Sequence, residues 1–166
     1  RAEGGAHQGL RLLLDHGDAT VTGLTFQGDS AGILVKGGSP TLTGLRFDHV
    51  GTPFSGSMSD RGMPISLLEG AAPTITDNLF SATNSIFVGE DSAPRIEGNV
   101  LEGGSHLFVV SAGPGSVIRG NTISGTLAWA IAIAASPVLV EGNTITDSGD
   151  GLWIDADVSD GGPADG

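Results

Sequence analysis

Pro73-Thr74-Ile75-Thr76-Asp77-Asn78-Leu79-Phe80 and Pro94-Arg95-Ile96-Glu97-Gly98-Asn99-Val100-Leu101 match position by position. Ser116-Val117-Ile118-Arg119-Gly120-Asn121-Thr122-Ile123 and Val138-Leu139-Val140-Glu141-Gly142-Asn143-Thr144-Ile145 continue the series. Two earlier copies, Ala19 to Phe26 and Pro40 to Phe47, carry Leu24 and Leu45 where the asparagine stands. Indexed on that position the copies fall at 24, 45, 78, 99, 121 and 143, with spacings of 21, 33, 21, 22 and 22. A fixed period of this length is the mark of a solenoid. The one long spacing holds an insertion near Gly51 to Met63, rich in Gly, Ser, Pro and Asp. Solenoid insertions form loops on one face, often the working one.

Each copy brings two apolar positions around a turn. The first is Val21, Leu42, Ile75, Ile96, Ile118 or Val140, and the second is Phe26, Phe47, Phe80, Leu101, Ile123 or Ile145. A third apolar strand lies midway to the next copy: Ile33 to Val35, Ile65 to Leu67, Ile86 to Val88, Leu107 to Val109, Ile131 to Ile133 and Leu152 to Ile154. Leu10 to Leu14 reads as the same strand of a partial first coil. A coil this short cannot bury its own apolar side, so it must stack on its neighbours, with equivalent side chains in columns. The expectation is an all-β stack of about seven coils, each with three strands of two to four residues, in a rod of roughly 30 Å. No segment carries a sustained 3.6-residue stripe, which excludes a helical bundle. Residues 1–155 form the repeat domain, and the acidic Gly/Asp segment 156–166 reads as a tail or linker.

The pattern P-x-I-x-G-N-x-I, recurring every 21 to 22 residues over about residues 10 to 155, resembles the right-handed parallel β-helix repeats of the pectate-lyase-like superfold. It is most similar to the carbohydrate-binding and sugar-hydrolase type of β-helix region. The resemblance implies a right-handed parallel β-helix and a secreted or extracellular, bacterial setting. It does not choose a function, because such repeats serve lyases, hydrolases, adhesins and non-catalytic sensor or substrate-binding domains.

The net charge of -12, with Lys36 the only lysine, is the wrong sign for a nucleic-acid binder. It also repels anionic membranes and polysaccharides unless a cation bridges them. No apolar run approaches the length of a membrane span, so no membrane insertion by this domain is expected. Without cysteine there is no disulfide framework and no Cys-based zinc site. The chain opens at Arg1 in mid-pattern and shows no signal peptide, so it reads as a mature product, a fragment or one domain of a larger protein.

The asparagines at 78, 99, 121 and 143 read as structural: Asn tolerates left-handed turns, and one amide per coil makes a ladder. The preceding glycines, 98, 120 and 142, serve the same corner. The mid-coil strands form the sheet on which the resembled superfold usually places its sites. Side chains alternate along it, and the outward column reads Leu34, Ser66, Phe87, Phe108, Ala130 and Trp153. An exposed apolar stripe of this kind points to an interface or a groove. Phe87, Phe108, Trp153 and Leu34, with His106 beside the strand, are therefore the candidate residues for a carbohydrate or protein partner, or for a homodimer through the sheet. Trp129 is in opposite phase to Trp153 and reads as core.

Glu69 and Glu90 fall in one column at the turn after this sheet, about 5 Å apart, with Asp91 adjacent and Lys36 at the same end. Carboxylates so placed can share a proton, hold Ca²⁺ or perform glycoside chemistry, and these three are the candidate metal ligands. A solvated acidic rim is the plainer reading on a chain with 19 acids. The alternating acids Asp155, Asp157 and Asp160 lack the full spacing of a calcium loop. The pairs Thr20/Thr22, Thr41/Thr43 and Thr74/Thr76 face outward. Flat threonine ladders can bind ice, but Arg95 and Glu97 end this one, and such residues suit strands in any case.

No catalytic residue is assigned. Lyases of the resembled superfold use Ca²⁺ with an Arg or Lys base on the sheet, and its hydrolases use a tight group of aspartates there. This sheet lacks that group, and its one lysine is Lys36. The expected function is a non-catalytic extracellular recognition, sensor or scaffold module of a larger protein. A polysaccharide lyase or glycoside hydrolase, and a self-associating spacer, are the alternatives.

Overall fold

The computed structural model describes residues 11–28, 32–50, 63–81, 85–104 and 107–156. Short aliphatic runs alternate with corners that turn left-handed, and the runs form nineteen strands among these residues. The first sheet is β1 (Arg11–Asp15), β4 (Gly32–Lys36), β7 (Ile65–Leu68), β10 (Ile86–Val88), β13 (Leu107–Val110), β16 (Trp129–Ala134) and β19 (Asp150–Asp155). The second is β2 (Thr20–Thr22), β5 (Thr41–Thr43), β8 (Thr74–Thr76), β11 (Arg95–Glu97), β14 (Ser116–Arg119) and β17 (Val138–Glu141). The third is β3 (Thr25–Gln27), β6 (Arg46–Asp48), β9 (Leu79–Ser81), β12 (Val100–Glu102), β15 (Thr122–Ser124) and β18 (Thr144–Thr146). Every strand pairs in parallel with its counterpart one coil away, so the chain is a parallel β-helix. Seven strands in the first sheet and six in each of the others make about six turns. Strands of the first sheet run to six residues, longer than the spacing alone suggested.

The columns are in register. Leu42 pairs with Ile75, Ile75 with Ile96, and Ile96 with Ile118. All four are buried to 1% exposure or less. The insertion does not disturb the stack, since β5 still meets β8 across the 33-residue spacing. Residues 51–62 of that insertion lie outside the described residues. Phe26, Phe47 and Phe80 stack face to face, with centroids 5.0 and 4.7 Å apart, matching the distance between coils.

The asparagines carry the second organising feature. Asn99 Oδ1 accepts from both the backbone N–H and the Nδ2 of Asn78, at 3.1 and 2.9 Å. Its own Nδ2 donates to Ile75 O at 2.9 Å on one side and to Asn121 Oδ1 at 3.0 Å on the other. Asn121 repeats the arrangement, Asn143 receives the last rung, and Asn78 opens the ladder by accepting the Leu45 N–H and donating Nδ2 to Leu42 O. A carboxamide has two donors and two acceptor sites, and Asn99 and Asn121 use all four inside the protein. The left-handed turn falls one residue earlier than the asparagine, on Gly23, Gly44, Asp77, Gly98, Gly120 and Gly142, with φ between 56° and 68°. Asn is therefore kept at this corner for its amide and not for its tolerance of positive φ, and glycine supplies the turn in five of six coils.

Three stability outcomes follow. Asn99→Leu strands the donors of Asn78 and the carbonyl of Ile75 in a dry interior, and should cost about 3 kcal/mol or more. Asn143→Leu, at the half-buried last rung, should cost about 1 kcal/mol, and urea unfolding of the two variants measures the gap. Ser92 is fully buried and its hydroxyl has no partner among the described residues. It lies between small residues, Ala71 and Ala112. Ser92→Ala should raise stability by about 1 kcal/mol, read from the same experiment.

Candidate functional site

Among the described residues there are two apolar clusters, one inside the helix and one on the outer face of the first sheet. The outer cluster joins Met63, Phe87, Phe108 and Ala132, with Leu68, Val110, Trp129 and Trp153 packed against it. The register places Leu34, Ser66, Phe87, Phe108, Ala132 and Trp153 in one column across β4, β7, β10, β13, β16 and β19. The expected column thus exists, with one correction: Ala132, not Ala130, is its member in β16. Ala130 is fully buried and belongs to the interior cluster.

Trp129 also departs from expectation. Ala130 and Ile131 are successive buried residues, so the in-out alternation breaks at the start of β16. That break delivers Trp129 to the outer face, where its ring lies 5.5 Å from Trp153 and 30° from coplanar. It is not part of the interior core. Nothing in a strict two-residue period signals this.

The stripe was expected to be exposed, and over its middle it is not. Phe87 is 8% exposed, Phe108 4% and Ser66 0%. Phe87, Phe108 and Met63 cover one another, and Met63 comes from the end of the insertion. Leu34 is half-buried, as is Trp153. His106 lies outside the described residues, as does Asp157. The accessible apolar surface sits toward the C-terminal coils: the tryptophan pair is half-buried, and Leu127, in the corner leading into β16, is 96% exposed. Sequence reasoning passed over Leu127 because it stands outside every strand.

The acidic column forms as expected, with a different chemistry. Glu69 and Glu90 sit in adjacent coils, and the Glu69 N–H donates to Glu90 Oε2 at 3.2 Å. Both are exposed and both have positive φ, as do His16, Gly37, Ser111 and Ala135 at the equivalent corner. Asp91, also left-handed, donates its N–H to Ser111 O at 2.9 Å. Glu69 is engaged by Lys36, whose Nζ donates to Oε1 at 2.7 Å. Among the described residues no three His, Cys, Asp or Glu side chains gather in a way that could hold a metal ion. Glu69, Glu90 and Asp91 therefore share an edge without forming a cage. Glu69 stands in one coil and is already paired with Lys36, while Glu90 and Asp91 are neighbours in the turn of the next coil.

The hydrogen bond to Glu69, followed by the charge of Glu69, holds Lys36 above its ordinary pKa of 10.5, with smaller help from Asp15 and Glu90. A second charge ladder crosses the outer face of the second sheet. Arg95 meets Glu97 at 2.6 Å, Glu97 meets Arg119 at 3.0 Å, and Arg119 meets Glu141 at 3.3 Å. These alternating signs settle three neighbouring coils on an otherwise acidic surface, and being exposed they contribute little individually.

The family profile described as a right-handed β-helix region matches residues 9–160. The chain belongs to this right-handed β-helix family. No curated protein and no solved structure matches it. The family fixes the hand of the coil, in keeping with the columns described above. No helix among the described residues is long and apolar enough to cross a membrane.

The Lys36 pair has a clean readout, because this β-helix holds one lysine. A group with a raised pKa contributes its stabilisation below 10.5 and loses it as pH rises through the higher folded value. Glu69→Gln should return the Lys36 pKa toward 10.5, followed by NMR of the single lysine side chain through an alkaline titration. An unchanged titration would mean that the pair does not persist in solution.

Proposed function

We propose that this domain is a non-catalytic recognition or scaffold module of a larger extracellular protein, binding a glycan or a protein partner along the outer face of the first sheet. The observation that carries the reading is the Trp129–Trp153 pair, half-buried and continuous with the Phe87–Phe108 cluster, with the exposed Leu127 two residues before Trp129 in the chain. Buried phenylalanines behind partly open tryptophans make a rigid apolar platform. Such a platform binds the faces of sugar rings or the apolar anchors of a protein at low conformational cost. In this reading Phe87 and Phe108 support the surface, while Trp153, Trp129 and Leu127 meet the ligand.

The lyase alternative is less well supported. A base that abstracts a proton must be neutral, and Lys36 is held protonated by Glu69. Self-association through the same face is a version of the binding reading, with a second copy as the partner.

A glycan array with and without Ca²⁺, run beside light scattering, tests the proposal. Binding to either a glycan or a second copy should quench or shift tryptophan emission. Trp153→Ala should weaken it at least about tenfold while leaving the fold intact by circular dichroism. Release of new reducing ends or unsaturated sugars from any bound glycan would overturn the non-catalytic reading. Binding indifferent to Trp153 and Leu127 would overturn the placement.

A further inference from the structure

The tryptophan pair on the outer face of the first sheet has a carboxylate on either side. Trp129 of β16 faces Asp150 of β19, and Ala132 faces Trp153, at the coil spacing of about 4.8 Å. Asp155 faces Ala134. It follows Trp153 by two residues, on the same side of the sheet and about 7 Å along the strand. Asp150 is exposed and Asp155 half-buried. No lysine or arginine stands in β13, β16 or β19. The lysine and arginine ion pairs among the described residues lie elsewhere: Lys36 with Glu69 after β4 and β7, and the Arg95–Glu97–Arg119–Glu141 row on the second sheet.

Neutral polar partners for a sugar are scarce at this place. β13, β16 and β19 contribute no Asn, Gln, Ser, Thr or Tyr. Sugar hydroxyls pressed against Ala132, Ala134 and the indoles would lose water without replacement. Leu127 adds an apolar contact. It is 96% exposed, yet its corner is held. The N–H of Gly149 donates to Thr126 O and that of Asp150 to Ala128 O, both at 3.0 Å. A Cβ on Gly149 would come within 2.5 Å of Leu127 O. An aliphatic side chain protruding from a fixed corner suits an apolar protein side chain better than a hydroxylated ring.

We infer, resting on the binding face proposed above, that its occupant is a basic protein segment, which sets an aliphatic side chain beside Leu127 and a lysine or arginine against the indoles between Asp150 and Asp155. A cation that meets an indole face beside a carboxylate gains from the ring quadrupole and from the charge pair together. The net charge of -12 draws such a segment in from a distance. The same charge opposes a second copy of the chain. Residues 157–166 hold three aspartates and no basic residue, so they lack the complementary charge.

Tryptophan fluorescence of the full chain, titrated with a short peptide of alternating leucine and arginine, tests the inference. The same peptide with neutral citrulline in place of arginine isolates the charge. The arginine peptide should shift the emission and bind at least about tenfold more tightly than the citrulline peptide, with the gap narrowing in high salt. Asp150→Asn should weaken the arginine peptide about threefold or more. Asp91→Asn, an equal loss of charge at an exposed residue in another coil, should leave it unchanged. Equal affinity for the two peptides, no emission shift with the arginine peptide, or equal effects of Asp150→Asn and Asp91→Asn would each overturn the inference. Cellohexaose and xylohexaose are titrated in parallel. Sugar binding that needs Trp153 and ignores Asp150 would overturn the basic occupant and leave the binding face standing. Peptide and sugar binding that both ignore Trp153→Ala would overturn the face itself.

Discussion

An asparagine amide buried in a protein must use all four of its hydrogen-bonding positions or pay for desolvation, and here it can do so only by reaching into the coils above and below. That requirement couples neighbours more tightly than apolar contact alone. Isoleucine over isoleucine tolerates a small slide or rotation between coils. A carboxamide that takes two bonds from one neighbour and gives one to each side does not. The rungs from Asn78 to Asn143 thus hold four coils to a common register. The first coils, with Leu24 and Leu45, rely on stacked phenylalanines instead. The same interior is closed by two devices, a polar one toward the C-terminal end and an aromatic one toward the N-terminal end.

The outer face of the first sheet follows from the same stacking. Because equivalent residues superpose, a single large apolar residue per coil becomes a continuous ridge. The ridge shields itself where Met63, Phe87 and Phe108 meet, and opens where Trp129 and Trp153 do. A solenoid can in this way carry a buried foundation and an accessible platform on one surface without a cleft. Its acidic corner, by contrast, places exposed carboxylates at the turns of two adjacent coils, Glu69 in one and Glu90 with Asp91 in the next, an arrangement that suits solvation and isolated ion pairs.

The fold was legible in the sequence because the period repeats its cause: an apolar residue, a glycine and an asparagine at fixed offsets force the same turn every time. Columns such as Leu42, Ile75, Ile96 and Ile118 follow from the spacing alone. The asparagine ladder follows from it as well, although the left-handed residue proved to be its predecessor. The outer face was legible only in part. Phe87, Phe108 and Trp153 share a column as the alternation requires, but their exposure depends on what lies across the surface, which one strand cannot reveal. Trp129 and Ala130 were misplaced because two successive buried residues in β16 suspend the alternation. Glu69 and Glu90 were correctly superposed, yet their isolation from a third ligand depends on side-chain direction at a left-handed corner.

Solution exchange of the asparagine side-chain amides tests the central claim most directly. If the carboxamides bridge coils as described, one proton pair each from Asn78, Asn99 and Asn121 should exchange with solvent far more slowly than that of Asn143, and should be lost only with global unfolding. Uniformly fast exchange at all four asparagines in a folded sample would contradict the ladder, and with it the account of how the coils are held in register.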